Sequence, residues 1–461
     1  MYFFIGNDSF LQTFVWAICI IICVSNKIIM WEWSNLRWMT TQPWEWVSLP
    51  PIYPIHIFTL ACLLFVVIYI YIYLKYTFWC RQPVVHVYDW WRRWVAPGKA
   101  QILYDNRRGT PPTKFYFPDK TYTFNPLEKP EDLSKCVKLL QSHYIGADNI
   151  LFSIQEAYLK THCIGHGEDA PLMSLYYEYG ENPHAMIAAF PAEVYTGAEG
   201  ALWKVYFWNY ICVHRDFKNQ YLTRPLIQTH EYRQRPAIQV SIFRCDTVLQ
   251  EGIVPITRGY THTYYLRGGK IRASLTGMHV MRISTKSIDI MGMFMEYIQT
   301  IKSAANSVFK VYMTPSTENM IALMDAGILY VYALISSSKI VGLYFFKNVC
   351  TTYEELDNDI AKPNRGFDGS RTVHCFGSIS STPDPEIFGE GFLYAVKHLV
   401  KSSRGQFNVL LLDDTSCNGV GVLPIWNRQF TPIFSNEYAY YAYNWRVPGM
   451  PLSSHECLFI I

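Results

Sequence analysis

The stretch Trp208–Ile227, WNYICVHRDFKNQYLTRPLI, joins two kinds of structure. Apolar and aromatic residues run without a charge to Val213, as in a buried strand. His214 to Tyr221 is a short segment of mixed charge, and from Leu222 the spacing turns helical. A strand entering a helix through a short loop leaves backbone N–H groups unpaired at the helix start. Those groups and the helix dipole attract anions such as phosphate, and Arg215 and Lys218 add positive charge. Pro225 costs little there, because early helical N–H groups have no helical partner. No glycine-rich fingerprint is present, so the same residues also read as an ordinary solvated loop.

The rest of the chain is poor in charge. Of 461 residues, half are apolar, 16% are aromatic and 17% are charged, against a usual ~25% charged. That excludes a disordered chain and fits a large packed core joined to membrane segments. A net charge of +3 and the lack of a long Lys/Arg run exclude a nucleic-acid footprint. The twelve cysteines include no C-x-x-C pair and no regular spacing, which fits unpaired thiols in a reducing compartment.

Two apolar runs precede the body. Ile57 to Leu74 has eighteen residues without a charge, enough to cross a bilayer as a helix at ~1.5 Å per residue. A buried strand pair or core helix is the other reading of this run. Phe10 to Ser25 is shorter and reaches spanning length only by including Asn26 and Lys27; a signal-anchor or re-entrant segment fits it equally. These runs predict a membrane-anchoring region over 1–75, with helices over 10–30 and 55–74. Trp31, Trp33, Trp38, Trp44 and Trp46 lie between the runs, as interfacial aromatics do. Lys75, Arg81, Arg92, Arg93 and Lys99 follow the second run, so the positive-inside rule places the large C-terminal part in the cytosol.

From about Lys114 strand-like and helical stretches alternate, which predicts α/β or α+β layers. Ala185 to Ala189, Trp203 to Val213, Ile340 to Phe346 and Val409 to Leu412 read as strands. Leu133 to His143, Ile288 to Ile301 and Phe392 to Val400 read as helices. Asp357 to Arg371, rich in Asp, Asn, Gly and Pro, reads as a surface loop. No short repeat is evident. His162 to His166, HCIGH, offers three metal-ligand types without a partner cluster, so a structural role is the stronger reading and no metal is expected.

Six short motifs lie in one order along the chain. YTFWCRQPV (Tyr76–Val84) is followed by LLQSHYIGADNILF (Leu139–Phe152), AAFPAE (Ala188–Glu193) and NYICVHRDFKNQYLTRPLI (Asn209–Ile227). FNVLLL (Phe407–Leu412) and YYAYNWRVP (Tyr440–Pro448) complete the set. In this order the chain resembles the N-myristoyltransferase family from Tyr76 to its end. The resemblance implies an α+β fold of two tandem GNAT-like halves forming one saddle-shaped body, preceded by one or two transmembrane helices. An acyl-CoA-binding half would cover 76–275 and a peptide-binding half 276–461. The second half would begin near HVMRISTKSIDIMGMF (His279–Phe294).

The resemblance also implies an activity: transfer of a long acyl group from myristoyl-CoA or a related acyl-CoA to an N-terminal glycine, at a membrane. The partners would be acyl-CoA, glycine-started peptides and membrane lipid, with no cofactor beyond the co-substrate. Backbone N–H groups of Tyr210 and Ile211 would form the oxyanion hole, and the terminal carboxylate of Ile461 would be the base. The apolar ending ECLFII reads equally as a buried carboxylate or as a strand added to a sheet. Acyl-CoA would meet Tyr76, Phe78, Trp79, Ile211, Val213, Lys218, Asn219, Gln220, Tyr221, Leu222 and Thr223. For Tyr76, Phe78 and Trp79, interfacial anchoring is the other reading. The peptide would meet Tyr144, Asp148, Phe152, Asn209, Phe243, Tyr265 and Phe376.

The chain departs from the family's pattern at several positions. Gln220 and Tyr221 stand where the family has basic residues, an acidic turn is reduced to Asp148, and Leu411 replaces an Asp. The alternative is therefore a catalytically inactive relative that binds acyl chains, acylated N-termini or a partner protein.

Overall fold

The computed structural model describes residues 54–76, 78–89, 98–105, 114–145, 150–197, 201–266, 271–303, 309–353, 370–403 and 406–460. The first apolar run, the tryptophan cluster, Asp148, most of the Asp357–Arg371 loop and Ile461 lie outside these residues. The chain divides into two units, Met1–Tyr71 and Ile72–Ile461.

The helix α1 covers Pro54–Lys75 and carries no charge before Lys75. Its described side chains expose apolar surface, including Leu60, Phe65, Val67, Ile70 and Leu74. Among the described residues no helix is long and apolar enough to cross a membrane.

The second unit is built on a 15-stranded sheet. Its first half contains helix α2 (Pro130–His143) and strands β1 (Leu172–Tyr176), β2 (Ala185–Thr196) and β3 (Ala201–Val213). Helix α3 (Thr223–Gln234) leads to β4 (Ser241–Cys245), and β5 (Thr257–Tyr265) follows. The second half contains β6 (His279–Arg282), β7 (Val311–Thr314), β8 (Leu329–Ser336), β9 (Lys339–Tyr353) and β10 (Ser370–Ser380). Helix α4 (Pro385–Ser402) leads to β11 (Phe407–Asp413), then β12 (Phe434–Tyr443) and β13 (Cys457–Phe459).

The pairing reveals a duplication that the sequence conceals. β1, β2 and β3 form an antiparallel meander, and α3 crosses over to set β4 parallel to β3. β8, β9 and β10 repeat the meander, and α4 crosses over to set β11 parallel to β10. The next strand of each half then pairs with the other half: β5 lies beside β11, and β12 beside β4. β5 and β12 also pair with each other, closing one sheet across both halves. β13 adds in parallel to β7, which pairs with β2.

Local chemistry accounts for the crossover helices. Asp384 caps α4, its carboxylate accepting from the Glu386 N–H at 2.8 Å, with Pro385 in the first turn. One face of α4 buries Phe388, Phe392, Val396 and Leu399 in a cluster with Tyr344, Phe346 and Trp426. Helix α3 instead buries polar residues, several of them hydrogen-bonded to the sheet and the N-terminal segment. Gln228 accepts from Gln82 (2.9 Å), Gln234 accepts from the Trp208 indole (2.8 Å), and His230 meets Ser174 (2.8 Å).

Gly391 shows how closely α4 approaches the sheet. A Cβ there would fall 2.4 Å from the Tyr344 hydroxyl, which donates to the Phe388 carbonyl at 2.6 Å. Gly391→Ala is therefore expected to destabilise the chain by about 1–3 kcal/mol through overpacking. Urea unfolding measures it; an unchanged midpoint would show that α4 can move away from the sheet.

Candidate functional site

The sequence places Tyr210 and Ile211 within a continuous apolar strand, but β3 is not regular there. Met186 pairs with Cys212 and Ala188 with Asn209, so Tyr210 and Ile211 together oppose Ile187 alone. This is a β-bulge, and Tyr210 takes a left-handed backbone angle, φ 52°. The Tyr210 N–H donates to the side-chain oxygen of Asn209 at 2.8 Å. A bulge turns backbone groups out of the ladder and re-aims side chains.

The bulge lies where two parallel strands part. β3 and β4 pair only over Tyr206–Trp208 and Ser241–Phe243. The next residues, Asn209 and Arg244, both line a cavity of about 610 Å³. In the second half, β10 and β11 last pair at Cys375 and Leu412. There the next residues are Phe376, which lines the same cavity, and Asp413 behind it. Tyr144, Phe152 and Tyr210 form an aromatic wall, with ring centroids 4.8 to 6.4 Å apart.

The cavity holds a polar network. Arg244 donates to both Asp413 oxygens, at 2.6 and 3.4 Å, and to Thr261 at 2.9 Å. Thr261 donates to Asp413 at 2.6 Å, and His374 Nε2 lies 2.9 Å from the same carboxylate. Burial alone would raise the Asp413 pKa. The Arg244 guanidinium and His374 outweigh it and hold the carboxyl well below the usual range. Lys347 of β9 also lines the cavity, and Asp246 and Glu437 bring further carboxylates to its lining.

The structure brings Tyr144, Phe152, Asn209, Tyr210, Ile211 and Phe376 together around this cavity. It does not bring Phe243 there. Phe243 and Arg244 are neighbours on a strand, so their side chains take opposite faces. Phe243 is buried, stacked between Trp79 (5.9 Å) and Trp208 (5.9 Å), and Arg244 takes the cavity face. Tyr265 pairs with Val409 beyond the cavity, whose lining takes Thr261 and Thr263 from β5 instead.

Phe78 and Trp79 are core residues, packed edge to face at 5.0 Å. One Trp79 face is covered by Phe243, at 5.9 Å. Tyr76 is half-buried against the backbone of Gly252.

The opening join has the expected order. β3 ends at Val213, which is half-buried beside the apolar cluster around Trp208. A 3-10 turn follows over Arg215–Gln220 and includes Asn219. Tyr221 adopts φ 54°, Leu222 is buried at the N-cap, and α3 begins at Thr223 without a side-chain cap. Lys218, Gln220 and Tyr221 are exposed, and Arg224 lies over the Tyr221 ring at 4.4 Å. At the chain's end, β13 shows the apolar tail as an added strand. The Ile460 N–H donates to the Met313 carbonyl at 2.8 Å, and Ile460 is buried. The base implied for Ile461 lies outside the described residues. His162 and His166 are buried, and no metal-holding group occurs among the described residues.

Sequence reasoning missed Arg244, Lys347, His374 and Asp413. The signal was a charge inside an apolar strand: SIFRC, YFFKNV and LLLDD. A charge buried in a strand must find a partner.

No protein-family model matches the sequence, and no curated protein matches it. Solved structures do. N-myristoyltransferase of Saccharomyces cerevisiae with bound myristoyl-CoA aligns over 82% of this chain and 94% of that chain, with TM-score 0.61 and 14% identity. A structure of the yeast enzyme with myristoyl-CoA and inhibitors aligns over 82% of this chain and 91% of that chain, with TM-score 0.60 and 14% identity. The duplicated mixed sheet with its parted strands is thus an acyltransferase-type fold. It is specifically the N-myristoyltransferase fold, in a divergent sequence.

Arg244→Met should leave Asp413 buried without its main partner and destabilise the chain by about 3–5 kcal/mol at pH 7. In the parent chain the Asp413 contribution is present above the unfolded value of ~3.9 and lost as pH falls through its depressed folded value. In the variant the carboxyl pKa rises, so the deficit should shrink between pH 7 and pH 4. Denaturant unfolding at both pH values checks this; an equal deficit at both would exclude Asp413 as its source.

Proposed function

We propose that this chain is an acyl-CoA acyltransferase of the N-myristoyltransferase type, moving a long acyl group to an N-terminal glycine. The observation that carries the reading is the bulge at Tyr210–Ile211, set at the edge of a deep cavity within that fold. In this reading the N–H groups of Tyr210 and Ile211 face the thioester oxygen as it becomes an oxyanion. An oxyanion-hole donor is worth about 3 kcal/mol. In this reading the Tyr210 N–H exchanges the Asn209 side-chain oxygen, which it meets at 2.8 Å, for the oxyanion.

The CoA phosphates belong at the uncapped start of α3. Val213, Lys218, Asn219, Gln220, Tyr221, Leu222 and Thr223 form this join, with Tyr76 and the Phe78–Trp79 segment behind it. The acceptor peptide belongs in the cavity, against Tyr144, Phe152, Asn209 and Phe376. Asp148, at the end of the segment following α2, remains part of this proposal. The apolar surface of α1 supports attachment to a lipid bilayer with the larger unit on its cytosolic side.

One observation favours a second reading. Lys218 is exposed beside exposed Gln220 and Tyr221, and Arg215 of the same turn donates to the Ile145 carbonyl, so the phosphate loop is thin in charge. An inactive relative that only binds acyl chains or acylated N-termini would need no more.

The deciding experiment incubates the chain with myristoyl-CoA and glycine-started peptides, following thiol release and peptide mass together. Transfer is expected, and Lys218→Ala should weaken acyl-CoA binding about tenfold through one lost charge-assisted contact. Binding of acyl-CoA without any peptide product would establish the second reading instead. Flotation with lipid vesicles tests the anchor: the full chain should float and a chain lacking residues 1–74 should not.

A further inference from the structure

We propose that the turn Arg215–Gln220 is a pH-sensitive latch, built while His143, His184 and His214 are neutral and released when they take up protons. The inference rests on the acyl-CoA reading of this join and adds a regulation of the same site.

The turn is held to the body by imidazole rings from separate elements. His143 is the last residue of α2, His184 stands just before β2, and His214 follows β3. The His143 and His214 rings lie 3.8 Å apart, centroid to centroid, and His184 is 6.3 Å from His214. Phe217 of the turn packs edge-on against His184 at 4.3 Å and His214 at 5.7 Å. Each imidazole accepts a backbone N–H at Nδ1. The donors are Arg215 to His143 (3.4 Å), Asp216 to His214 (3.3 Å) and Glu178 to His184 (3.1 Å). Nδ1 accepts only while it carries no proton, because both nitrogens of an imidazolium are donors. The neutral rings therefore fasten the first N–H groups of the turn and the chain beside it.

Protons reverse these contacts. A protonated His214 turns to the Asp216 carboxylate, 3.7 Å from Nδ1, and gives up the Asp216 N–H. Two imidazolium rings at the His143–His214 spacing repel each other. The facing groups give little relief. Arg215 and Lys218 add like charge beside His143, and Asp216, the carboxylate of the turn, is mostly exposed. Glu178 faces His184, but its carboxylate is taken up by Lys120 (2.6 Å) and the Tyr176 hydroxyl (2.7 Å).

The electrostatics agree with this geometry. Burial first, then His214, Arg215 and Lys218, lower the His143 pKa, with Asp216 opposing. Burial first, then His214, lower that of His184, with Glu178 opposing. A histidine held below its ordinary ~6.5 stabilises the folded turn above that value. The contribution is lost as pH falls through the depressed value, so the latch opens on the acid side of neutrality. Opening frees the stretch between β3 and the start of α3. Acyl-CoA placed at that start then loses the fixed N–H groups that would meet its phosphates.

The test uses the full chain at pH 7.5 and pH 5. Amide hydrogen exchange reads the turn without any ligand, by mass over a peptide spanning 213–222 and corrected for the intrinsic rate at each pH. Its protection should fall about tenfold or more at pH 5, as for a lost hydrogen bond. His143→Asn, His184→Asn and His214→Asn together keep a side-chain oxygen near the place of each Nδ1 but do not titrate. In that triple variant protection should hold at both pH values. The Kd of myristoyl-CoA should rise about tenfold at pH 5 in the parent chain. It should rise less in the triple variant, where only the ligand's own phosphate titrates, near ~6. Unchanged protection in the parent chain overturns the latch, as does an equal loss in parent and triple variant. Loss of protection in the parent chain alone, with no binding of myristoyl-CoA at either pH, upholds the latch and overturns the acyl-CoA reading.

Discussion

Arg244 and Asp413 are equivalent residues that meet. Each is the first residue of its strand beyond the last parallel pair of its half. The duplication therefore brings one from each half to the same place, and opposite charge joins them at 2.6 Å. Asp413 is fully buried and Arg244 mostly so, which strengthens the pair relative to one in water. β5 and β12 run between these strands, and their pairing across the halves keeps the two splay points opposite each other. Without that exchange there would be two separate sheets and no shared cavity.

The parted strands also explain what fills the gap. Where a parallel ladder ends inside a protein, polar groups lose their partners and must find others. Here side chains supply them, with Thr261 and His374 completing the shell of Asp413. On β3 the bulge performs the same service for the backbone, since Asn209 accepts from the Tyr210 N–H. The cavity is thus apolar on its Tyr144–Phe152–Tyr210 wall and polar at Arg244, Lys347 and His374.

Much of the fold was legible. The join at Trp208–Ile227 has its strand end, polar turn and helix start where the composition changes, because each element imposes its own period on apolar residues. The apolar tail read equally as a buried carboxylate or an added strand, and its described residues form a strand. The site was legible in part. Tyr144, Phe152 and Asn209 lie in the ordered motifs and line the cavity, as does Phe376, whereas Phe243 was one residue away from the cavity-facing Arg244. Strand side chains alternate faces, so a one-residue error places a residue on the wrong side. Phe78 and Trp79 were legible as important aromatics, but their burial against Phe243 depends on a strand more than 150 residues further on.

By itself, the sequence determined the class of each segment: apolar run, strand, crossover helix, polar turn. Those follow from the spacing of apolar residues and from groups such as Pro385 and Asp384 at a helix start. Only the tertiary structure decided the pairing of β5 with β11 and β12 with β4. It also decided the meeting of Arg244 with Asp413. The physical reason is that local preferences reach only a few residues along the chain. The charge a lysine or aspartate carries at a site is set by neighbours that long-range strand pairing alone brings near.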